Sequence, residues 1–348
     1  MIKNNLPENC CRSYFGMWIV PTRFGKAMVS TCCHNKFMRE NRVIVDNGIK
    51  NAWNSMRFQF QRKLISQRNW SFCWGASCGI DPFTDDLTHI NIPEVKDAIE
   101  KKRRELNYCV KKLVLSLSFD CNNNCHFCYY RHQRRRKNSY QLQDNLIKEI
   151  KGIIPDVRKV ILSGGEPFFS SRSCELIEWI LAEHPQKEIV ILTNGTLLHK
   201  FGLRRLMRQN IILQVSMYAM NKNNHHKITG VNNFEIMFRN VNALIKDGFG
   251  NLILVFLVSL HSKADLEDFC RFIEQNENVK GIVRNNVFES KLCEGIMKTM
   301  ESKYSYLNAR LRFIYMNESI QRKISRKLYN PVHSLRYMLT CFFGKLNG

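Results

Sequence analysis

A chain of 348 residues, 44% hydrophobic and 24% charged, has a globular balance and enough length for a buried core and more than one domain. No apolar run reaches the roughly 18–20 residues of a membrane span, and fourteen cysteines without an export signal argue against a disulfide framework. The formal charge of +23 admits nucleic acid, acidic lipid or another anionic partner, and equally a lysine-rich solvated surface with none.

Residues 1–80 hold six of the cysteines and four of the five tryptophans, with few long apolar runs. A segment of that kind is expected to need a metal or cluster as a staple. Its cysteines fall into the groups Cys10/Cys11, Cys32/Cys33 and Cys73/Cys78. The turn-rich "DPFTDD" at 81–86 marks a boundary near residue 82, and "PEVKDAIEKKRREL" opens on proline and acid and ends basic, which predicts a helix over 93–107 within a linker at 83–110. The start "MIKNNLPENCC" lacks the charged head and apolar body of a secretory signal, so a cytoplasmic location is expected.

From residue 113 the pattern alternates. Strand-like runs stand at 113–119, 159–163, 188–193, 211–217, 252–260 and 281–288, with helical periodicity at 173–184, 233–248 and 263–276 between them. Six strands alternating with helices predict an α/β fold with a parallel sheet, whose working residues collect at the C-terminal strand ends. "RLRFIYM" reads as a further strand, and the basic amphipathic stretch after it as a docking helix, with a membrane-surface segment as the alternative.

"CNNNCHFC" follows the first strand of this series and places Cys121, Cys125 and Cys128 on one loop. Zinc, an iron–sulfur cluster and simple packing are all open to three such cysteines. Structural zinc and [4Fe–4S] clusters both take four protein ligands as a rule, so three leave a metal position open for chemistry. The remaining cysteines, among them Cys109, Cys174, Cys270 and Cys293, stand alone and read as packing residues.

The C-x3-C-x2-C spacing, with aromatic Phe127 before the last cysteine, resembles the defining loop of radical S-adenosylmethionine (radical SAM) enzymes. The likeness continues through "SGGEP" at 163–167, "TNG" at 193–195 and "VSMY" at 215–218, followed by "HHKITGVNNFE", over roughly residues 111–290. The resemblance implies a partial (β/α)6 TIM-like barrel and a [4Fe–4S] cluster on Cys121, Cys125 and Cys128. It implies S-adenosylmethionine (SAM) held near Phe127, Gly164, Gly165, Glu166, Pro167, Thr193, Asn194 and Ser216. It also implies one-electron reductive cleavage of SAM and hydrogen abstraction from a substrate by the 5′-deoxyadenosyl radical. An electron donor such as flavodoxin or ferredoxin is the implied partner. Many relatives carry aspartate where this chain has Tyr218 and arginine where Thr229 stands, which leaves the partner of SAM's carboxylate unassigned.

The front segment resembles a second module, the SPASM domain, through Cys10/Cys11, Gly25, Cys32/Cys33, the "WNS" helix with a following arginine, and "CWGASC". That resemblance implies an auxiliary iron–sulfur cluster on Cys11, Cys32, Cys73 and Cys78 within residues 1–82, with zinc as the other reading and Cys10 and Cys33 as alternative ligands. The module usually follows the radical core, whereas here it precedes it. The expected order is a SPASM-like domain at 1–82, the linker helix, a radical SAM core at 111–290 and a basic extension at 291–348. A peptide or protein is the expected substrate, with a cell-surface precursor next. The rival reading is a non-enzymatic metal-binding adaptor that contacts nucleic acid through "KKRR" (101–104) and "RHQRRRK" (131–137).

Overall fold

The structure, a computed structural model, describes residues 12–31, 42–67, 69, 91–128, 130, 140–285 and 290–314. Its frame is a ten-stranded sheet. The strands are β1 (Gly16–Pro21), β2 (Ala27–Ser30), β3 (Arg42–Val45), β4 (Lys112–Leu115), β5 (Lys159–Leu162), β6 (Glu188–Thr193), β7 (Ile211–Met217), β8 (Leu252–Val258), β9 (Val279–Asn285) and β10 (Leu311–Ile314). Among the described residues the spatial order β10-β9-β8-β7-β6-β5-β4-β1-β2-β3 is open, with β10 and β3 at its two ends, as in a partial barrel. Every neighbouring pair from β4 to β10 is parallel.

The six runs expected from the sequence are β4 to β9. They read as near-continuous apolar stretches because a parallel sheet is covered on both faces. On the outer face, Leu113, Leu115, Val160, Leu162, Ile189 and Ile191 join the main core beneath the helices. On the inner face Val114, Ile161 and Val190 pack with Trp18, Leu192 and Ile212, and plug the floor of the barrel. Above that floor the same face turns polar, through Ser116, Gln214 and Ser216, as the strands run toward their C-terminal ends.

The helices are α1 (Ile49–Ala52), α2 (Met56–Ser66), α3 (Pro93–Glu100), α4 (Asp144–Ile153), α5 (Ser171–Glu183), α6 (Leu198–Phe201), α7 (Leu203–Leu206), α8 (Lys222–Thr229), α9 (Phe234–Lys246), α10 (Leu266–Gln275) and α11 (Ser290–Lys303). The expected helix over 93–107 stops at Glu100. Lys102 there takes a left-handed φ of 54°, and Arg103 N–H and Lys102 N–H donate back to the Ala98 and Ile99 carbonyls. This helix-ending motif normally advertises itself with glycine, and lysine carries no such signal. The alternating pattern also omits α4, although Leu146, Ile150 and Ile153 recur at helical spacing and are buried.

Residues 12–67 depart from the expected separate module. Strand β1 pairs in parallel with β4, Gly16 opposite Lys112 through Ile19 opposite Leu115, and β2 and β3 extend the same sheet antiparallel. Tyr14, Phe15, Met17, Ile19, Trp53 and Phe58 belong to the one core that also holds the barrel strands. The "WNS" helix and its arginine act as a clamp. Arg62 is fully buried and donates to the carbonyls of Ser13, Trp53 and Arg104 and to Asn54 Oδ1, at 2.7–3.1 Å. Its guanidinium also lies 4.6 Å from the Trp53 ring. Burial pulls its pKa down to about 10, which leaves it charged at neutral pH. Cys11, Cys32, Cys73 and Cys78, with Cys10 and Cys33, lie outside the described residues, as do "RHQRRRK" and the segment after 314. Among the described residues no helix is long and apolar enough to cross a membrane.

Candidate functional site

The loop after β4 carries Cys121, Cys125 and Cys128, so the three thiols stand at the C-terminal edge of the sheet. Cys125 is buried and the other two are half-buried. The loop is pinned from below by α8: Asn124 N–H and His126 N–H donate to the carbonyls of Thr229 and Ile228, at 2.8 and 3.2 Å. A side-chain relay adds to this. His225 bonds Asn233 Oδ1 at 2.9 Å, and Asn233 Nδ2 donates to Asn123 Oδ1 at 2.7 Å. His225 is 1% exposed, and burial pulls its pKa down, so it sits there neutral.

The glycine loop after β5 runs backbone to backbone against the strand exit that leads into the cysteines. Gly165 N–H donates to Ser118 O at 3.1 Å and Glu166 N–H to Asp120 O at 2.8 Å. A Cβ on Gly165 would stand 2.0 Å from the Asp120 carbonyl oxygen. Gly164 adopts φ +116°, where a Cβ would come within 2.8 Å of Ser118 O. The missing side chains thus admit the neighbouring backbone.

Glu166, which the resemblance places near SAM, is 2% exposed, and its carboxylate accepts from Thr193 Oγ1 and Asn194 N–H at 2.7 Å and from Phe168 N–H at 3.2 Å. It stitches the "GGEP" loop to the "TNG" loop. Burial pushes its pKa up to about 7, against the pull of those three donors. Pro167 is buried and opens the short turn that follows.

Asn194 is buried, and both ends of its amide are engaged within the protein. Its Oδ1 accepts from Thr196 N–H at 3.0 Å and Thr196 Oγ1 at 2.6 Å, while Nδ2 donates to Asn122 Oδ1 at 2.8 Å and approaches Cys121 Sγ at 3.8 Å. Asn122 closes the ring by donating to Thr196 Oγ1 at 2.8 Å.

Across the site, Tyr218 stands beyond the end of β7, its ring centroid 5.4 Å from that of Phe127. Burial, and then the nearby Cys125, Cys121 and Cys128, raise its pKa, while a hydrogen bond with Ser216 works against them. Thr229, the other position where the family pattern is broken, is fully buried, and its hydroxyl donates to the His225 and Val231 carbonyls. That side chain turns into its own helix end and away from the cavity. Of the two adjacent histidines of "HHKITG", His225 is the buried brace described above and His226 is exposed.

Three cysteines on one loop at the C-terminal edge of the sheet suit a cluster with one metal position left open. Among the described residues no three Cys, His, Asp or Glu side chains gather around a single point, as ligands about 2.3 Å from one zinc ion would. A cubane presents a different iron to each thiolate, so its ligands stand further apart. The sequence reading assigned no role to the asparagines of "CNNNC". Asn122 and Asn123 are hydrogen-bonding hubs, and their partners 74 and 110 residues away gave no local signal. Asp265 is another such residue: buried, it accepts from Met220 N–H and from Asn221 and Asn224, and so fixes the loop after β7. Among the described residues the isolated Cys109, Cys174, Cys270 and Cys293 are buried or half-buried in packing, with burial pushing Cys174 to about 11 and Cys270 to about 12.

Fold and site together define a radical SAM core. Residues 115–273 match the profile described as the radical SAM superfamily, whose enzymes use a [4Fe–4S] cluster and SAM. That match covers a little under half of the chain and is a likeness to the superfamily over the strands and loops that carry the three cysteines, "GGEP" and "TNG". Curated relatives include a probable GTP 3′,8-cyclase of Methanococcus maripaludis, 28% identical over 168 residues, covering 47% of this chain and 56% of the relative. Another probable GTP 3′,8-cyclase, from Saccharolobus islandicus, is 24% identical over 230 residues, 66% of this chain and 71% of the relative. The chain thus spans little more than half the length of the first. Among solved structures, Streptococcus suis SuiB superposes with a TM-score of 0.50 at 16% identity, over 85% of this chain and 70% of SuiB, which is a likeness of fold.

Proposed function

We propose that this protein binds a [4Fe–4S] cluster on Cys121, Cys125 and Cys128, cleaves SAM reductively and abstracts hydrogen from a substrate held over the C-terminal end of the sheet. The observation that carries the reading is the stitching of the cysteine, "GGEP" and "TNG" loops through Gly165, Glu166 and Asn194. Cluster and SAM supply the one-electron chemistry and the radical. The chain's own residues do the rest. The helix end at Ile228–Thr229 fixes the cysteine loop, Phe127 and Tyr218 wall one side of the cavity, and Ser216 offers a hydroxyl on its inner face. The apolar plug of Val114, Ile161 and Val190 closes the floor to water.

A peptide or protein is the substrate we favour, with a cell-surface precursor next, supported by the front segment's resemblance to SPASM modules. An auxiliary cluster on Cys11, Cys32, Cys73 and Cys78, and a flavodoxin- or ferredoxin-type donor, belong to the same proposal. A nucleotide is the second reading, supported by relatives named as probable GTP 3′,8-cyclases.

The test is anaerobic purification, reconstitution with iron and sulfide, reduction, and assay of 5′-deoxyadenosine from SAM, with Cys125→Ala as control. Nucleoside formed by the wild type and lost in the control supports the reading, whereas zinc in place of the cluster refutes it. Consumption of added GTP would move the substrate from peptide to nucleotide.

A further inference from the structure

The amide of Asn194 reaches a proposed cluster thiol, with Nδ2 donating to Cys121 Sγ at 3.8 Å. Its orientation is fixed by chemistry. Oδ1 receives the backbone N–H of Thr196, a group that only donates, so Nδ2 must face Asn122 and Cys121. Cys121 also accepts the backbone N–H of Asn123 at 3.4 Å. Two N–H dipoles therefore converge on one sulfur of the three. Asn194 has little freedom to leave: Thr196 Oγ1 and Asn122 hold its two ends, and its own backbone N–H is tied to Glu166.

We propose that Asn194 is a positioning residue that raises the reduction potential of the cluster by donating a hydrogen bond to Cys121. The inference rests on the cluster assignment above. Reduction adds one electron, and negative charge spreads onto the sulfurs. A donor aimed at a ligating sulfur stabilises the reduced form more than the oxidised form. The contact also gives the "TNG" motif a task distinct from touching SAM. It joins the third strand of the core to the cluster, and through Glu166 it joins the glycine loop as well.

The experiment uses the full chain, reconstituted anaerobically, without SAM. Iron and sulfide content are measured first, then the midpoint potential by redox titration followed by electron paramagnetic resonance. Coupling of exchangeable deuterons to the reduced cluster is recorded in D2O. Asn194→Asp keeps the shape and replaces the donor with an acceptor, and Asn194→Ala removes it. Both are expected to hold a full cluster, titrate at a more negative potential than wild type and lose one exchangeable coupling. Thr196→Val frees the amide without removing it, and a smaller shift of the same sign is expected.

Unchanged potentials in fully loaded Asn194 variants overturn the inference. So does loss of the cluster from both with the melting temperature retained, because the residue would then serve assembly. Should both variants unfold, an unmoved potential in Thr196→Val overturns it. A wild type that takes up no iron–sulfur cluster refutes the cluster assignment itself, and is told apart by that first measurement.

Discussion

Substituting alanine for Gly165 should break the site while leaving the barrel standing. The added Cβ would lie 2.0 Å from Asp120 O and 2.6 Å from the Phe119 carbonyl carbon, both backbone atoms that cannot rotate away. The loops must part by more than an ångström to reach ordinary contact distance. That movement stretches the bonds from Gly165 N–H to Ser118 O and from Glu166 N–H to Asp120 O. Two hydrogen bonds at about 1 kcal/mol each, with overpacking of about 1–3 kcal/mol, give a loss of about 3–5 kcal/mol. The contrast is Gly152→Ala, on the exposed side of α4, where a Cβ meets nothing within 4 Å. That change should stabilise by up to about 1 kcal/mol. Urea unfolding of both variants, with iron content after reconstitution, makes the comparison. A Gly165→Ala protein with wild-type stability and a full complement of iron would refute the close-packed loop on which the site rests.

Glu166, with a folded pKa of about 7 against a usual 4.5, contributes stability that is fully present below about pH 4.5 and lost as pH rises toward 7. At about 1.36 kcal/mol per pH unit the swing is at most about 3 kcal/mol, and urea titrations of wild type and Glu166→Gln should diverge across that window. A constant difference between the two would show that the carboxyl does not titrate there. Arg62→Met leaves three carbonyls and Asn54 without their buried donor and should cost about 3–5 kcal/mol, read as a lowered urea midpoint. Asn233→Leu cuts the relay from His225 to Asn123. It should cost about 1–3 kcal/mol and reduce iron retention, while a protein unchanged in both would remove the relay's role.

Much of this protein is legible in one dimension. Apolar runs and helical periods are local properties, and they place β4 to β9 because each strand must bury both faces whatever its neighbours are. The three thiols and the glycine and "TNG" loops are also local, since a strand end needs only its own residues to be recognised. Non-local contacts decided the rest. Strands β1 to β3 stand outside the strand–helix alternation, and only pairing with β4 reveals that residues 12–67 extend the barrel's own sheet. The left-handed turn at Lys102, the burial of Thr229 and the inward turn of Glu166 follow from backbone and packing that no spacing records. Most telling are Asn122 and Asn194: hydrogen bonds across 72 residues gave them partners, and the sequence alone could supply their chemistry but not their distances.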